Sequence, residues 1–219
     1  YGGVEVSNGD TVELAQGYSL HISDISGGRD GALFGLYLND TRLADGIATS
    51  TSPYTYTVSR NDTEYVLLEV EGYAPKDESG RAGLRISQYA DPAQKMPEML
   101  LDGTVSLKVG KRHSLEQGYS LLATEYTSDD KKATIEVYSG NVRVGTYTPS
   151  EGDRFGYAVR QDSVHRCILF AAFDSAARFN ESEPYVVILR HLVQYPDPSW
   201  RAAPTPTPTQ SPAQGQLDM

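Results

Sequence analysis

Five residues, Gln16-Gly17-Tyr18-Ser19-Leu20, recur unaltered as Gln117-Gly118-Tyr119-Ser120-Leu121, an offset of 117 − 16 = 101 residues. At that offset Val4 falls on Val105, Gly9 on Gly110, Tyr37 on Tyr138, Tyr56 on Tyr157 and Val58 on Val159, all without a gap. A constant register across a whole unit makes the chain a tandem duplication, so each copy must bury a core of its own. The copies also close alike, Gln88-Tyr89-Ala90-Asp91-Pro92 against Gln194-Tyr195-Pro196-Asp197-Pro198, at an offset of 194 − 88 = 106. The second copy therefore carries extra residues, placed between Ser175 and Glu183. A chain of 219 residues holds two domains near the usual size, and the expected bounds are 1–95 for the first repeat, 104–200 for the second and 201–219 for a tail.

Within each copy, short runs of alternating polarity are separated by turn residues, which is the pattern of an all-β domain. The expected strands of the first copy are Val4–Ser7, Thr11–Leu14, Ser19–Ile25, Ala32–Leu38, Thr41–Ala44, Tyr54–Val58, Glu64–Glu71 and Leu84–Tyr89. The second copy supplies matching runs at Ala133–Ser139, Val142–Thr146, Phe155–Val159, His165–Phe173 and Tyr185–Tyr195. Asn39-Asp40 and Gly140-Asn141 fall at equivalent places between two runs and tolerate positive φ, so a tight hairpin is expected at both. Helix is nearly absent from this reading. Its best stretch, Ala93-Gln94-Lys95-Met96, is broken at Pro97 in the linker between the copies. The fold class is all-β: two tandem homologous β-sandwich domains followed by an extended Pro/Thr-rich tail. That tail, Ala202 to Pro212 with its alternating prolines, is expected as solvated polyproline II. A stalk ahead of an anchor beyond Met219 is favoured over a linker to a further domain.

Charge and composition narrow the partners. A formal net charge of −10 repels phosphate backbones and anionic lipid, so nucleic acid is excluded as a partner. No run of 18 apolar residues is present, and the sequence opens at Tyr1 without a signal-peptide core. Membrane contact would come only through an anchor past the tail. Cys167 is the single cysteine, which rules out an intrachain disulfide, and its apolar neighbours Ile168-Leu169-Phe170 mark a buried strand thiol. Three of the five asparagines, Asn39, Asn61 and Asn180, sit in Asn-x-Ser/Thr triplets, at a hairpin tip, an inter-strand turn and the insertion of the second copy. Together they point to export and to glycosylation at these three positions.

Motifs that could carry chemistry are weak. Ser128-Asp129-Asp130-Lys131 matches Ser-x-x-Lys by letters but lies in a charged loop, whereas the motif needs serine and lysine one helical turn apart. Gly17-Tyr18-Ser19-Leu20-His21 lacks the second glycine of a nucleophile elbow and reads as a strand start. Gly27-Gly28-Arg29-Asp30-Gly31 lacks the Lys-Ser/Thr of a phosphate loop. His21, His113, His165 and His191 show neither ligand spacing nor cysteine partners. No catalytic residue, cofactor or metal ligand is assigned, and the chain is read as a non-enzyme. Calcium stays open through Asp77-Glu78, Asp129-Asp130 and Glu181 with Glu183, none of which has calcium-loop spacing.

Taken together, Gln-Gly-Tyr-Ser-Leu opening a strand, the aromatic pairs Tyr54-x-Tyr56 and Phe155-x-Tyr157, and the closing Gln-Tyr resemble the S-layer family duplication domain of methanogenic archaea. The resemblance covers residues 4–92 and 105–198, and the Pro-Thr tail matches the stalk that precedes a membrane anchor in that family. It implies an exported, N-glycosylated cell-surface protein that self-associates into a lattice, or with other surface proteins, as exoskeleton and sieve. The sequence departs from the family pattern in having Gln16 and Gln117 where tryptophan often precedes the Gly-Tyr element, and in lacking a terminal apolar helix. The alternative from another class is a stalked extracellular carbohydrate-binding or adhesion module, with Tyr54, Tyr56, Tyr65 and Tyr73 as its sugar-facing rings.

Overall fold

The computed structural model describes residues 3–25, 30–60, 63–75 and 80–201. It is all-β. The first repeat contains β1 (Val4–Val6), β2 (Thr11–Glu13), β3 (Tyr18–Ile25), β4 (Gly31–Leu38), β5 (Thr41–Thr49), β6 (Tyr54–Arg60), β7 (Thr63–Tyr73) and β8 (Ala82–Gln88). The second contains β9 (Leu101–Lys108), β10 (Arg112–Ser114), β11 (Tyr119–Thr127), β12 (Lys132–Ser139), β13 (Val142–Tyr147), β14 (Arg154–Gln161), β15 (Val164–Ala177) and β16 (Val186–Gln194). In the first repeat a sheet ordered β1-β8-β7-β6 faces one ordered β2-β3-β4-β5. The second repeat follows the same plan, with β9-β16-β15-β14 facing β10-β11-β12-β13. Each repeat is thus a two-sheet sandwich.

Alternation in the sequence decides which faces meet. Tyr18, Leu20 and Ile22 of β3, with Ala32, Phe34 and Leu36 of β4, turn inward against Val70 of β7 and Leu84 and Ile86 of β8. At the same offset, Tyr119, Leu121 and Ala123 pack with Ala133, Ile135 and Val137 against Ala171 and Phe173. Among the described residues the two cores share none. Each copy also carries the same β-bulge, between Tyr56 and Thr57 and between Tyr157 and Ala158. The extra residue, Leu67 on β7 and Ile168 on β15, forms the bulge and lets two neighbours face inward, Leu67 with Leu68 and Ile168 with Leu169, all at most 2% exposed. The hairpin at Asn39-Asp40 has both residues at positive φ, 47° and 66°, and Gly140 at the equivalent turn has φ 58°.

Strand β5 runs to Thr49, past the expected end at Ala44. Asp45 and Gly46 interrupt its apolar pattern, but Gly46 lies under the Phe34 ring, where an added Cβ would come within 2.5 Å of the ring edge. The glycine therefore makes room for a core aromatic and does not end the strand. Residues 93–96 of the linker are not helical, as expected. The tail from residue 202 onward lies outside the described residues.

The repeated motifs at the two ends of each copy are the halves of one clamp. Gln16, in the left-handed region at φ 59°, donates from Nε2 to the Asp91 carbonyl (2.9 Å) and accepts the Asp91 amide on Oε1 (2.8 Å). Tyr18 donates its hydroxyl to Asp91 Oδ2 (2.7 Å), while Gln88 holds both the amide and the carbonyl of Ala15 (2.7 and 2.8 Å). The second copy repeats this. Gln117 at φ 52° accepts the Asp197 amide (2.8 Å), Tyr119 donates to Asp197 Oδ2 (2.7 Å), and Gln194 holds Glu116 (3.0 and 2.9 Å). The left-handed glutamine costs backbone energy that its bonds to the Asp91 or Asp197 backbone offset, and the clamp ties the closing segment of each repeat to the start of its third strand. Burial, followed by the bond to Asp197, raises the Tyr119 hydroxyl well above the ordinary tyrosine range. Tyr119→Phe should strip one oxygen of the buried Asp197 of its donor and destabilise the fold by about 1–3 kcal/mol. Urea unfolding checks this; an unchanged midpoint would show that the clamp adds nothing.

Candidate functional site

A β-strand whose edge extends past its neighbour leaves backbone donors and acceptors that something must satisfy. Strand β15 pairs with β16 only from Leu169 onward, so its first residues overhang. Strand β2 of the first repeat fills that edge in parallel register, with Val164 opposite Thr11, His165 opposite Val12 and Arg166 opposite Glu13. The Thr11 amide donates to the Ser163 carbonyl at 2.8 Å. One sheet thereby runs β5-β4-β3-β2-β15-β16-β9 through both sandwiches, and the repeats meet as a continuous surface.

Side chains at this joint are charged in complementary fashion. Asp10, 2% exposed, accepts the Ser7 amide and His165 Nε2 on Oδ2 and Arg160 Nη2 on Oδ1, each at 2.9 Å. Because the carboxylate can only accept, His165 must carry a proton on Nε2. Arg166 grips Glu13 with two bonds, 2.5 and 2.7 Å, in the planar fork geometry that suits a carboxylate. Burial opposes ionisation of Asp10, but the bonds from His165, Ser7 and Arg160 outweigh it and hold the carboxyl below its usual range. The first repeat contributes the acids and the second the bases.

Around the joint, a polar cleft of about 880 Å³ lies between β6–β8 and the segment 147–155, lined among others by Glu69, Glu71, Arg85, Asp153 and Arg154. A second, of about 610 Å³, lies between β2 with the Gln16 turn and Arg166 with Tyr195. Cys167 is buried on β15 beside Val12, and burial pushes its thiol up to about 11, so it packs as a small apolar group.

Sequence-predicted positions fall elsewhere. Asn39 is exposed at the β4–β5 hairpin. Asn180 is exposed in the loop after β15, its Oδ1 accepting from the Ser182 amide (3.1 Å) and hydroxyl (2.7 Å). Asn61 lies outside the described residues, as do Gly27–Arg29 and the Asp77-Glu78 pair. Ser128 and Lys131 sit in the turn between β11 and β12, Lys131 near Glu151 at 3.7 Å. Ser19 opens onto β3 beside His21, which stacks on Tyr37 at 4.1 Å. Asp129, Asp130, Glu181 and Glu183 are exposed, and among the described residues no three His, Cys, Asp or Glu side chains converge as a metal group would. The four tyrosines form no common row: Tyr54 and Tyr56 pack on the core, Tyr73 lies under Arg85, and Tyr65 is exposed on β7. The pairing of Asp10 with His165 and Arg160 was not foreseen, since 155 and 150 residues separate the partners.

No family model matches the chain, and the curated proteins give no match.

A carboxyl held below its unfolded value adds stability that is complete above about pH 4 and is lost as pH falls through the folded value. Asp10 falls in this class, and so does Asp197, where bonds from Ser199 and Tyr119 outweigh the burial that opposes ionisation. Stability should therefore fall steeply between about pH 4 and pH 2. Asp10→Asn should flatten that fall while leaving the share of Asp197. Urea midpoints measured across this range check it; an identical slope in the variant would contradict the role given to Asp10.

Proposed function

We propose that the chain is a structural cell-surface glycoprotein that forms or decorates a protein lattice on the cell envelope. The observation that carries this reading is the shared sheet: two copies of one sandwich, held in a fixed relation by edge pairing and by the buried Asp10 carboxylate with its Arg160 and His165 partners, make a stiff block of the kind a lattice is built from. The resemblance of the Gln-Gly-Tyr-Ser-Leu repeat to the S-layer family duplication domain supports it. The placement of Asn39 and Asn180 on exposed turns suits glycosylation of an exported protein. The net charge of −10 would make such a lattice concentrate cations and slow anions at its pores.

A second reading, a stalked carbohydrate-binding module, draws on the 880 Å³ cleft with its carboxylates and arginines. Negative-stain microscopy of isolated envelopes, and of the protein reassembled with and without calcium, separates the two. The lattice reading expects a periodic sheet. Dispersed single particles under every condition would overturn it and turn attention to sugar binding at the cleft.

A further inference from the structure

The relation that joins the repeats within one chain leaves both of its halves unused at the ends of the molecule. The first repeat gives β2 to the overhang of β15. The counterpart of β2 is β10 (Arg112–Ser114), and among the described residues it pairs only with β11. The counterpart of the β15 overhang is the start of β7. There β8 pairs only from Leu68 onward, the Tyr89 amide closes on the Leu67 carbonyl, and among the described residues 63–66 pair with β6 alone.

Burial differs at matched positions in the way a missing partner would make it differ. Val12 is 1% exposed and Leu14 8%, whereas His113 and Leu115 are half-buried. Cys167 is 8% exposed, whereas Val66 at the same place on β7 is 39% exposed and Tyr65 beside it 41%. An exposed Tyr-Val pair on a bare strand edge is the feature that soluble proteins avoid unless something covers it.

Charge supplies the partner. At the inner joint acidic Asp10 meets His165, with Arg160 beside them. The matched residues are Lys111 and Glu64, so an acid facing a base becomes a base facing an acid. The free β10 edge carries Lys111, Arg112 and His113, and the free β7 edge carries Glu64. Pairing β10 with β10, or β7 with β7, would set like charges together, so only the unlike pairing is complementary.

We infer that a second copy of this chain docks head to tail, its β10 adding in parallel to the β7 overhang of the first. Thr63 then lies opposite Arg112, Glu64 opposite His113 and Tyr65 opposite Ser114, with Lys111 reaching Glu64 as Asp10 reaches His165. The contact is heterologous, so it propagates as a row of alternating repeats joined by one recurring strand pairing, inside a chain and between chains. This inference rests on the lattice reading and names the contact that would build one direction of the array.

Two chains, one bearing Thr63→Cys and the other Arg112→Cys, test it under mild oxidation; Cys167, buried in both, is a built-in control. The mixture should give a disulfide-linked heterodimer, and neither variant alone should give a disulfide-linked dimer. No heterodimer, or equal dimer from either variant alone, would overturn the pairing. In parallel, Glu64→Lys and Lys111→Glu should each weaken assembly by about tenfold or more, and the two together should restore it. Periodic arrays that survive both reversals, with no heterodimer, would sink this contact and leave the lattice reading standing. A specific heterodimer without periodic arrays would uphold the contact and sink the lattice reading.

Discussion

Everything distinctive about this molecule follows from three backbone positions, Val164 to Arg166, that extend past the end of β16 and are paired by Thr11 to Glu13 of the other repeat. A parallel pairing this short would be weak by itself. It is made specific by Asp10 buried between Ser7, Arg160 and His165, and by the forked bond of Arg166 to Glu13. Removing one partner would leave a charge buried without compensation, which costs more than the pair contributes when whole. The two sandwiches are therefore fixed in relation to one another by a small surface with demanding chemistry. A generic apolar contact would allow them to slide.

Most of the strand plan was legible in the sequence because the period-two alternation, the Asn39-Asp40 and Gly140-Asn141 turns and the 101-residue register all point the same way. The missed part of β5 shows the limit of pattern: Gly46 reads as a breaker until the Phe34 ring is seen above it. The clamp was half legible. Gln-Gly-Tyr and Gln-Tyr-x-Asp-Pro stood out as repeated ends of each copy, but nothing in one dimension says that Tyr18 reaches Asp91 and Tyr119 reaches Asp197. The joint itself was invisible, since its partners sit some 150 residues apart. A signal did exist in the comparison of the copies. Core positions keep their character at the fixed offset, while Asp10 becomes Lys111, Glu13 becomes Ser114, His165 answers to Glu64 and Arg166 to Tyr65.

That divergence is the physical consequence of duplication. Two identical copies would pair each edge with any other, including their own kind, because backbone edges carry no address. Distinct charges on the two edge strands give one pairing inside the chain and forbid the homotypic ones. The clamps, which have no such choice to make, stayed nearly the same in both copies, down to the left-handed glutamine and the 2.7 Å tyrosine bond.

Amide hydrogen exchange on the dilute native protein tests the central claim most directly, by comparing Thr11 with Arg112, its counterpart in the second repeat. Both belong to short three-residue strands, and only Thr11 has a partner across the joint, the Ser163 carbonyl at 2.8 Å. If the repeats are welded by this pairing, the Thr11 amide exchanges only on global unfolding, while Arg112 exchanges by local opening. Equal and rapid exchange at both positions would mean that the repeats are not joined through β2 and β15.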